Sequence, residues 1–361
     1  MSYAIAAAGT GGHVYPGLAV AEQLVEAGVA KRHILFLGGD RMEADIVPQE
    51  GYAYFRLELQ GLVRSLSPRN LRLPGIVWRA ARAASGELVA RRTRTVLCMG
   101  GYVTVPVAVA AKRLGIRLYV HEQNVEAGLA NRLVGRWADS CFVSYPETRG
   151  LDGTAIGYPL RADLAHLDKR STRPGAIRWY GLEEGAPIVG IVGGSQGSVA
   201  INEAVGRMAA GWQGPPLQIV HLAGPGRRQD VSVAEDAPSV ARVVLGFENR
   251  MELFYSACDV VIGRAGGGLM EAAVTGTPSI LVPGSFGGRH QLANAEAMAG
   301  AGGAVLLDES GLDSLGELVR ALLEDEPRRV RMSQAAMTIA RPGAAASLAD
   351  VMLGRAHAEL G

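Results

Sequence analysis

The sequence predicts an α/β protein built from two Rossmann-like, doubly wound parallel sheets. Three observations predict it. Short apolar runs alternate with amphipathic ones through both halves, and such alternation implies parallel strands joined by crossover helices. The alternation restarts after the segment "AIGYPLRADL" at 155–164. Each half carries glycine turns where its strands end: "GTGGH" and "MGGY" in the first, "GGSQG" and "GRAGGG" in the second.

Taken in order, "YAIAAA" (3–8) reads as a strand. "PGLAVAEQLVEAG" (16–28) reads as a helix with Leu18, Ala21, Leu24 and Val25 on one face. "HILFLGG" (33–39) and "RTVLCMGG" (94–101) are strands, and "VPVAVAAKRLG" (105–115) is a helix. The strand "RLYVHEQN" (117–124), the helix "AGLANRLVGRWA" (127–138) and the strand "SCFVSY" (140–145) complete the first half. The second half reads strand "PIVGIVGG" (187–194), helix "AINEAVGRMAAG" (200–211), strand "LQIVHLAG" (217–224) and strand "ARVVLGF" (241–247). Helix "MELFYSAC" (251–258), strand "DVVIGRAG" (259–266), helix "LMEAAVTG" (269–276) and strand "PSILVPG" (278–284) follow. After Pro342-Gly343 the segment "AAASLADVMLGRAHAEL" (344–360) is an amphipathic helix suited to pack back on the first domain. The expected domains are therefore 1–158 plus 342–361, and 159–341.

A chain of 361 residues, 48% hydrophobic, has the length and apolar content for two cores. The net charge of +1 gives no overall pull toward nucleic acid, so any basic patch must be local. Cys98, Cys141 and Cys258 are far apart and form no CxxC pair. No metal site and no disulfide framework is expected, and a reducing cytoplasm fits. The opening "MSYAIAAAGT" has no basic segment and meets a glycine turn at once, unlike a signal peptide. No apolar run reaches membrane-spanning length.

The glycine turns carry the chemistry. Glycine lets backbone approach a ligand closely, and a helix N-terminus exposes unpaired N–H groups beside a partial positive charge. Together they suit a phosphate or another oxyanion. Open α/β sheets bind ligands at the carboxyl ends of their strands, so four such turns point to a site between the two domains. "GTGGHV" misses the third glycine of a dinucleotide fingerprint, and "HILFLGGD" has a double glycine where the ribose-binding acid belongs. "GGSQG" also fits the GxSxG nucleophile elbow, with His221 and His290 downstream. Ser195 is expected on the first strand of the second half, not deep in a sheet, which favours a phosphate-binding hydroxyl over a nucleophile. No DxD pair occurs, so a departing diphosphate would be neutralised by helix N-termini and arginines rather than through a metal.

Five blocks carry a resemblance: "GTGGHVYPGLAVAEQL", "MGGYVTVPVAVAAKRLGI", "HEQNVEAGLANRL", "GGSQGSVAINEAV" and "GRAGGGLMEAAVTGTPSILVP…HQLANAEAMAGAGGAVLL". In this order, along almost the whole chain, they resemble the MurG family of inverting GT-B glycosyltransferases. The resemblance implies transfer of N-acetylglucosamine from UDP-N-acetylglucosamine to undecaprenyl-linked lipid I, giving lipid II for peptidoglycan, without a cofactor. It puts the loop Thr10-Gly11-Gly12 on the acceptor side and makes His13 the candidate general base. Asn124 and Asn131 fall near the donor sugar and acceptor, with catalytic roles, and Arg161 falls near the donor. Ser195, Gln196 and Gly197 match a diphosphate loop. Glu248 matches the position whose backbone reads uracil. Arg264, Gly267, Gly268, Leu269 and Met270 match the turn beside the donor, and Glu271 the acid on the ribose hydroxyls. His290 and Gln291 match the sugar-binding pair. The sequence departs from the family where Ala8 replaces a glycine, where the Arg264–Glu271 loop is a residue shorter, and where "GGR" replaces acids before "HQ".

A lipid-linked acceptor requires contact with a bilayer. The stretch 59–85 holds Arg64, Arg69, Arg72, Arg79 and Arg82 and no acid, interleaved with Leu71, Leu73, Ile76, Val77 and Trp78. Arginines beside an apolar surface suit an anionic headgroup layer, which implies a peripheral protein at the cytoplasmic face of the cell membrane. Three other readings stay open at this point: a transferase for another lipid-linked acceptor, a non-catalytic nucleotide-sugar or lipid-binding protein, and a UDP-N-acetylglucosamine 2-epimerase.

Overall fold

The alternation folds into two units, residues 1–161 with 342–361 and residues 162–341. The computed structural model describes residues 1–59, 73–194, 196–284 and 290–355. Both sheets are parallel throughout their described pairings.

The first unit contains β1 (Ser2–Ala7), α1 (Gly11–Glu26), β2 (Ile34–Gly38), α2 (Glu43–Gln49), β3 (Ala53–Arg56) and α3 (Leu73–Ala90). Then come β4 (Thr93–Gly100), α4 (Thr104–Arg113), β5 (Arg117–Glu122), α5 (Leu129–Val134), β6 (Ser140–Val143) and β7 (Thr154–Ala155). The strand order is β3-β2-β1-β4-β5-β6-β7. Every residue of β1 is buried, as a central parallel strand covered on both faces must be. One face packs Ile5, Val14, Leu18, Leu24 and Phe36 into a cluster that Leu348 and Met352 of the last helix complete. The other packs Leu35, Leu37, Val96, Val107 and Leu118. The helix expected over 127–138 is shorter: it ends at Val134, and Trp137 and Ala138 turn back onto the Val134 carbonyl.

The second unit contains α6 (Ala162–Ala165), α7 (Lys169–Trp179), β8 (Ile188–Val192), α8 (Val199–Ala210), β9 (Leu217–Leu222), β10 (Val240–Leu245) and α9 (Met251–Ala257). It continues with β11 (Val260–Gly263), α10 (Gly267–Val274), β12 (Ser279–Leu281), α11 (His290–Gly300), β13 (Ala304–Leu306), α12 (Leu315–Glu324) and α13 (Glu326–Ala340). The order is β10-β9-β8-β11-β12-β13. This corrects one expectation. β8, which leads into the "GGSQG" turn, is central, with β9 on one side and β11 on the other. The first strand of a doubly wound unit lies inside its sheet because the chain winds outward from it in both directions. Strand position is therefore no argument against a nucleophile elbow. The last helix, α14 (Ala344–Leu353), belongs to the first unit and packs on α1. Among the described residues, no helix is long and apolar enough to cross a membrane.

Candidate functional site: two sets of strand-end turns

In the first unit the turns after β1, β2, β4 and β5 meet at the carboxyl edge of the sheet. Thr10 caps α1 in an extended conformation, and its side chain makes no capping hydrogen bond. The first turn of α1 holds no acid, so its partial positive charge is uncompensated there. His13 sits in that turn, partly buried. Its Nδ1 lies 3.0 Å from the Ala8 carbonyl oxygen and 3.3 Å from Thr10 Oγ1. A carbonyl only accepts, so Nδ1 carries the proton and Nε2 keeps a bare lone pair. The ring lies over Gly100, where a Cβ would stand 2.8 Å from Nε2; φ there is +115°, a region open to glycine. Burial pushes the imidazole below its ordinary value, against the opposing pull of Glu122, the Ala8 carbonyl and Glu43.

Two buried acids, neither singled out from sequence, organise these turns. Glu122 accepts from Asn124 N, Asn124 Nδ2 and Gly128 N, each at 3.0 Å, and from Asn131 Nδ2 at 2.9 Å. Four donors satisfy a buried carboxylate. Asn131 is itself buried and also bonds the His121 carbonyl. It therefore holds Glu122 rather than facing a substrate, while Asn124 is partly exposed beside it. His121 is fully buried between Gly157 O and Gln123 Nε2, and burial lowers it to about 4, so the ring is neutral. Glu43, the other acid, accepts from Gly9 N, Gly39 N and Tyr102 Oη. Arg161 stands half-buried where the first unit ends.

In the second unit the turns after β8, β9, β10, β11 and β12 form the corresponding edge. Ser195 lies outside the described residues. Its neighbours form a tight turn in which Gly197 N donates to Gly194 O at 2.9 Å. Gly197 has φ +72°, and a Cβ there would collide with the Ala223 carbonyl oxygen. The Gln196 carbonyl accepts from Arg227 Nε at 3.2 Å. Ser198 caps α8 through Ile201 N at 3.4 Å. Arg264, expected to face the donor, is instead spent on protein: Nη2 reaches Ser198 Oγ at 2.7 Å and Glu309 Oε1 at 2.5 Å, and Nη1 reaches the Val282 carbonyl at 3.0 Å. It ties together the ends of β8, β11 and β12.

Gly267 and Gly268 open α10, whereas the Leu269 and Met270 side chains are buried in the core and only their backbone can approach a ligand. Glu271 is half-buried on the same helix and accepts from Tyr255 Oη at 3.1 Å. Tyr255 is fully buried, and burial raises its phenol further above the ordinary value, so it stays a donor. Glu248 follows exposed Phe247 and accepts from Tyr180 Oη at 3.0 Å and Arg250 N at 2.8 Å. His290 begins α11, and Gln291 Oε1 accepts from Gly284 N at 2.9 Å. His221, the other downstream histidine, is buried with Nε2 on Asn202 Oδ1 at 3.0 Å, and burial lowers it to about 4. Its Nε2 is committed to Asn202 of α8, whose Nδ2 in turn donates to the Ala223 carbonyl at 2.9 Å.

On α3, Trp78 is 51% exposed with Arg82 at 5.7 Å over its ring, and Arg79 is exposed beside it, whereas Ile76 and Val77 are half-buried. Arg72 and the Leu73 side chain lie outside the described residues.

Comparison with known proteins gives these turns a context. Residues 3–143 match the glycosyltransferase family 28 N-terminal domain, and residues 188–351 match its C-terminal domain. A protein of Xanthomonas euvesicatoria, named UDP-N-acetylglucosamine–N-acetylmuramyl-(pentapeptide) pyrophosphoryl-undecaprenol N-acetylglucosamine transferase, is 37% identical over 98% of this chain and 80% of its own. A protein of the same name from Streptomyces coelicolor is 33% identical over 94% of both chains. The crystal structure of Acinetobacter baumannii MurG superposes with a TM-score of 0.79 at 26% identity, covering 98% of this chain and all of that one. The two parallel sheets are thus those of the GT-B architecture, and the chain belongs to the MurG family of glycosyltransferases.

Proposed function

We propose that the chain transfers N-acetylglucosamine from UDP-N-acetylglucosamine to the C4 hydroxyl of lipid I, giving lipid II. The observation that carries this reading is the match, over 98% of the chain, to transferases of that name. The chemistry of the turns agrees with it. The first unit supplies a neutral imidazole whose Nε2 is free to take a proton. The hydroxyl attacks the anomeric carbon from the face opposite UDP, and His13 accepts its proton, so the configuration inverts. The second unit supplies the donor groups. The turn Gly193–Ser198 and the first turn of α8 offer backbone N–H groups to the departing diphosphate. Glu271, oriented by Tyr255, accepts from the ribose hydroxyls, and the backbone at Glu248 reads the base. Arg264 acts on the diphosphate turn through Ser198.

Metal-independent transfer is supported by the sequence, which has no DxD pair. Docking to an anionic bilayer is supported by the exposed Trp78, Arg79 and Arg82 of α3. A peripheral position at the cytoplasmic membrane face, where a lipid-linked substrate would be reached, agrees with that basic–apolar surface of α3. Sugar transfer from labelled UDP-N-acetylglucosamine to lipid I, with other lipid acceptors in parallel, tests the function. Label in lipid II is the expected result. Label on a different acceptor only would replace the reading with that of a related transferase, and release of an altered free sugar nucleotide would replace it with that of an epimerase.

A further inference from the structure

The peptide group between Ala8 and Gly9 is held at both ends. Its N–H donates to Glu43 Oε2 at 3.2 Å, and its carbonyl oxygen accepts from His13 Nδ1 at 3.0 Å. A trans peptide group is a rigid plane with its N–H and C=O pointing opposite ways. Fixing one end aims the other. The carboxylate is fixed in turn, because Oε1 accepts from Gly39 N at 3.1 Å and Tyr102 Oη at 3.3 Å, and the side chain is completely buried. The glycine turns leave room for this path. A Cβ on Gly38 would stand 2.9 Å from Glu43 Cγ, one on Gly39 would overlap the Tyr102 hydroxyl, and one on Gly101 would overlap the Ala8 carbonyl.

We propose that Glu43 is the positioning residue of His13, acting at one remove through the Ala8–Gly9 peptide group. A carboxylate that accepts an amide N–H polarises the amide and makes its carbonyl a stronger acceptor. That carbonyl holds the proton on Nδ1 and leaves Nε2 as the base. A carboxylate bonded directly to an imidazole does the same in hydrolase triads; here a peptide group stands between them. The charged groups that bear on the ring are Glu122 at the end of β5 and Glu43 at the start of α2. Glu122 spends its oxygens on Asn124, Gly128 and Asn131. Glu43 is joined to the ring by the hydrogen bonds at the two ends of the Ala8–Gly9 peptide group.

The inference rests on His13 being the base, so the experiment separates the two. Ring-nitrogen NMR on the full-length protein reports the His13 tautomer, and transfer assays compare the wild-type protein, Glu43→Gln and His13→Ala. The expected results are a proton on Nδ1 in the wild-type protein and a kcat for Glu43→Gln lower by about 10- to 100-fold, the usual effect of losing an outer-shell partner. The KM for UDP-N-acetylglucosamine should hold. The acidic limb of the kcat profile should move to lower pH, because a negative charge that favours the imidazolium is gone. A wild-type ring protonated on Nε2 would overturn the proposal without any variant having to fold. So would a folded Glu43→Gln with an unmoved limb, whatever its rate. Normal kcat in His13→Ala would instead remove the base assignment itself.

Discussion

His13 shows how far one residue can be read. A histidine directly after a glycine turn at a helix mouth is visible in the sequence, and so is the phosphate-binding chemistry of the turn. His13→Ala should lower kcat by about 100- to 10,000-fold, the usual range for general-base assistance, with UDP affinity measured by calorimetry unchanged. Because burial holds the imidazole below its ordinary value, the His13 ring is neutral at pH 7, as the proposed base must be. Activity should persist below pH about 6.5, the ordinary histidine value, and fall as the ring protonates at lower pH. A pH–rate profile whose acidic limb lies above that value would contradict the assignment. On the second unit, Glu271→Ala would remove the proposed charge-assisted hydrogen bonds to the ribose, worth about 1.5–3 kcal/mol. It should weaken UDP binding by roughly one to two orders of magnitude, again by calorimetry. Tyr255→Phe should weaken it less, since the carboxylate stays and loses only its orienting donor. Glu43 and Glu122 were not legible. Two of the partners of Glu43, Gly9 and Tyr102, lie on other turns, and "RMEADIVPQE" alone reads as a polar surface segment; Glu122 turns inward onto Asn124, Gly128 and Asn131, which only the folded loop after β5 shows. Nor does "LAN" reveal that Asn131 faces inward, because only the packing of α5 decides which side of a short helix is buried.

The elements divide along the same line. Many strands and helices with one apolar face were legible. α2, α7, α11, α12 and α13 were not read; in α2 and α7, Pro48 and Pro174 lie inside the helix and break the pattern that marks one. The central place of β8 was invisible too, since strand order is set by crossovers and not by the composition of the strand. The "GGSQG" turn depends on that place. Packed against the turn after β9, it tolerates no side chain at Gly197. Gly197→Ala should cost more than the roughly 1–2 kcal/mol of a left-handed conformation alone, and thermal unfolding with UDP titration would show both the lost stability and the weakened binding. α3 carries the membrane prediction. Each arginine near an anionic surface contributes about 1 kcal/mol, so Arg79→Glu with Arg82→Glu should release the protein from anionic vesicles while UDP binding holds. Unchanged co-sedimentation would move the docking face elsewhere.

At the scale of the whole molecule, the chain leaves the first unit after Arg161 and comes back at Pro342. The family resemblance covered both units because its glycine turns are spread along nearly the whole chain. The proposed metal-independence is tested on the whole chain: transfer in excess EDTA should match transfer with magnesium, and loss restored by one divalent ion would refute it. The returning helix α14 places Leu348 and Met352, both fully buried, in the core beside α1. Leu348→Ala should cost about 2–5 kcal/mol, read as faster hydrogen exchange across β1 and α1.

That returning helix also fixes the order in which a growing polypeptide can be finished. The second unit is one continuous stretch, complete once residue 341 has emerged from the ribosome. The first unit begins to emerge earlier but lacks part of its core until the final helix is translated. The domain started first is therefore completed last, and α1 keeps an uncovered apolar face throughout synthesis of the other. A message truncated near residue 341 would yield a finished second unit attached to an open first one, a natural target for chaperones and proteases.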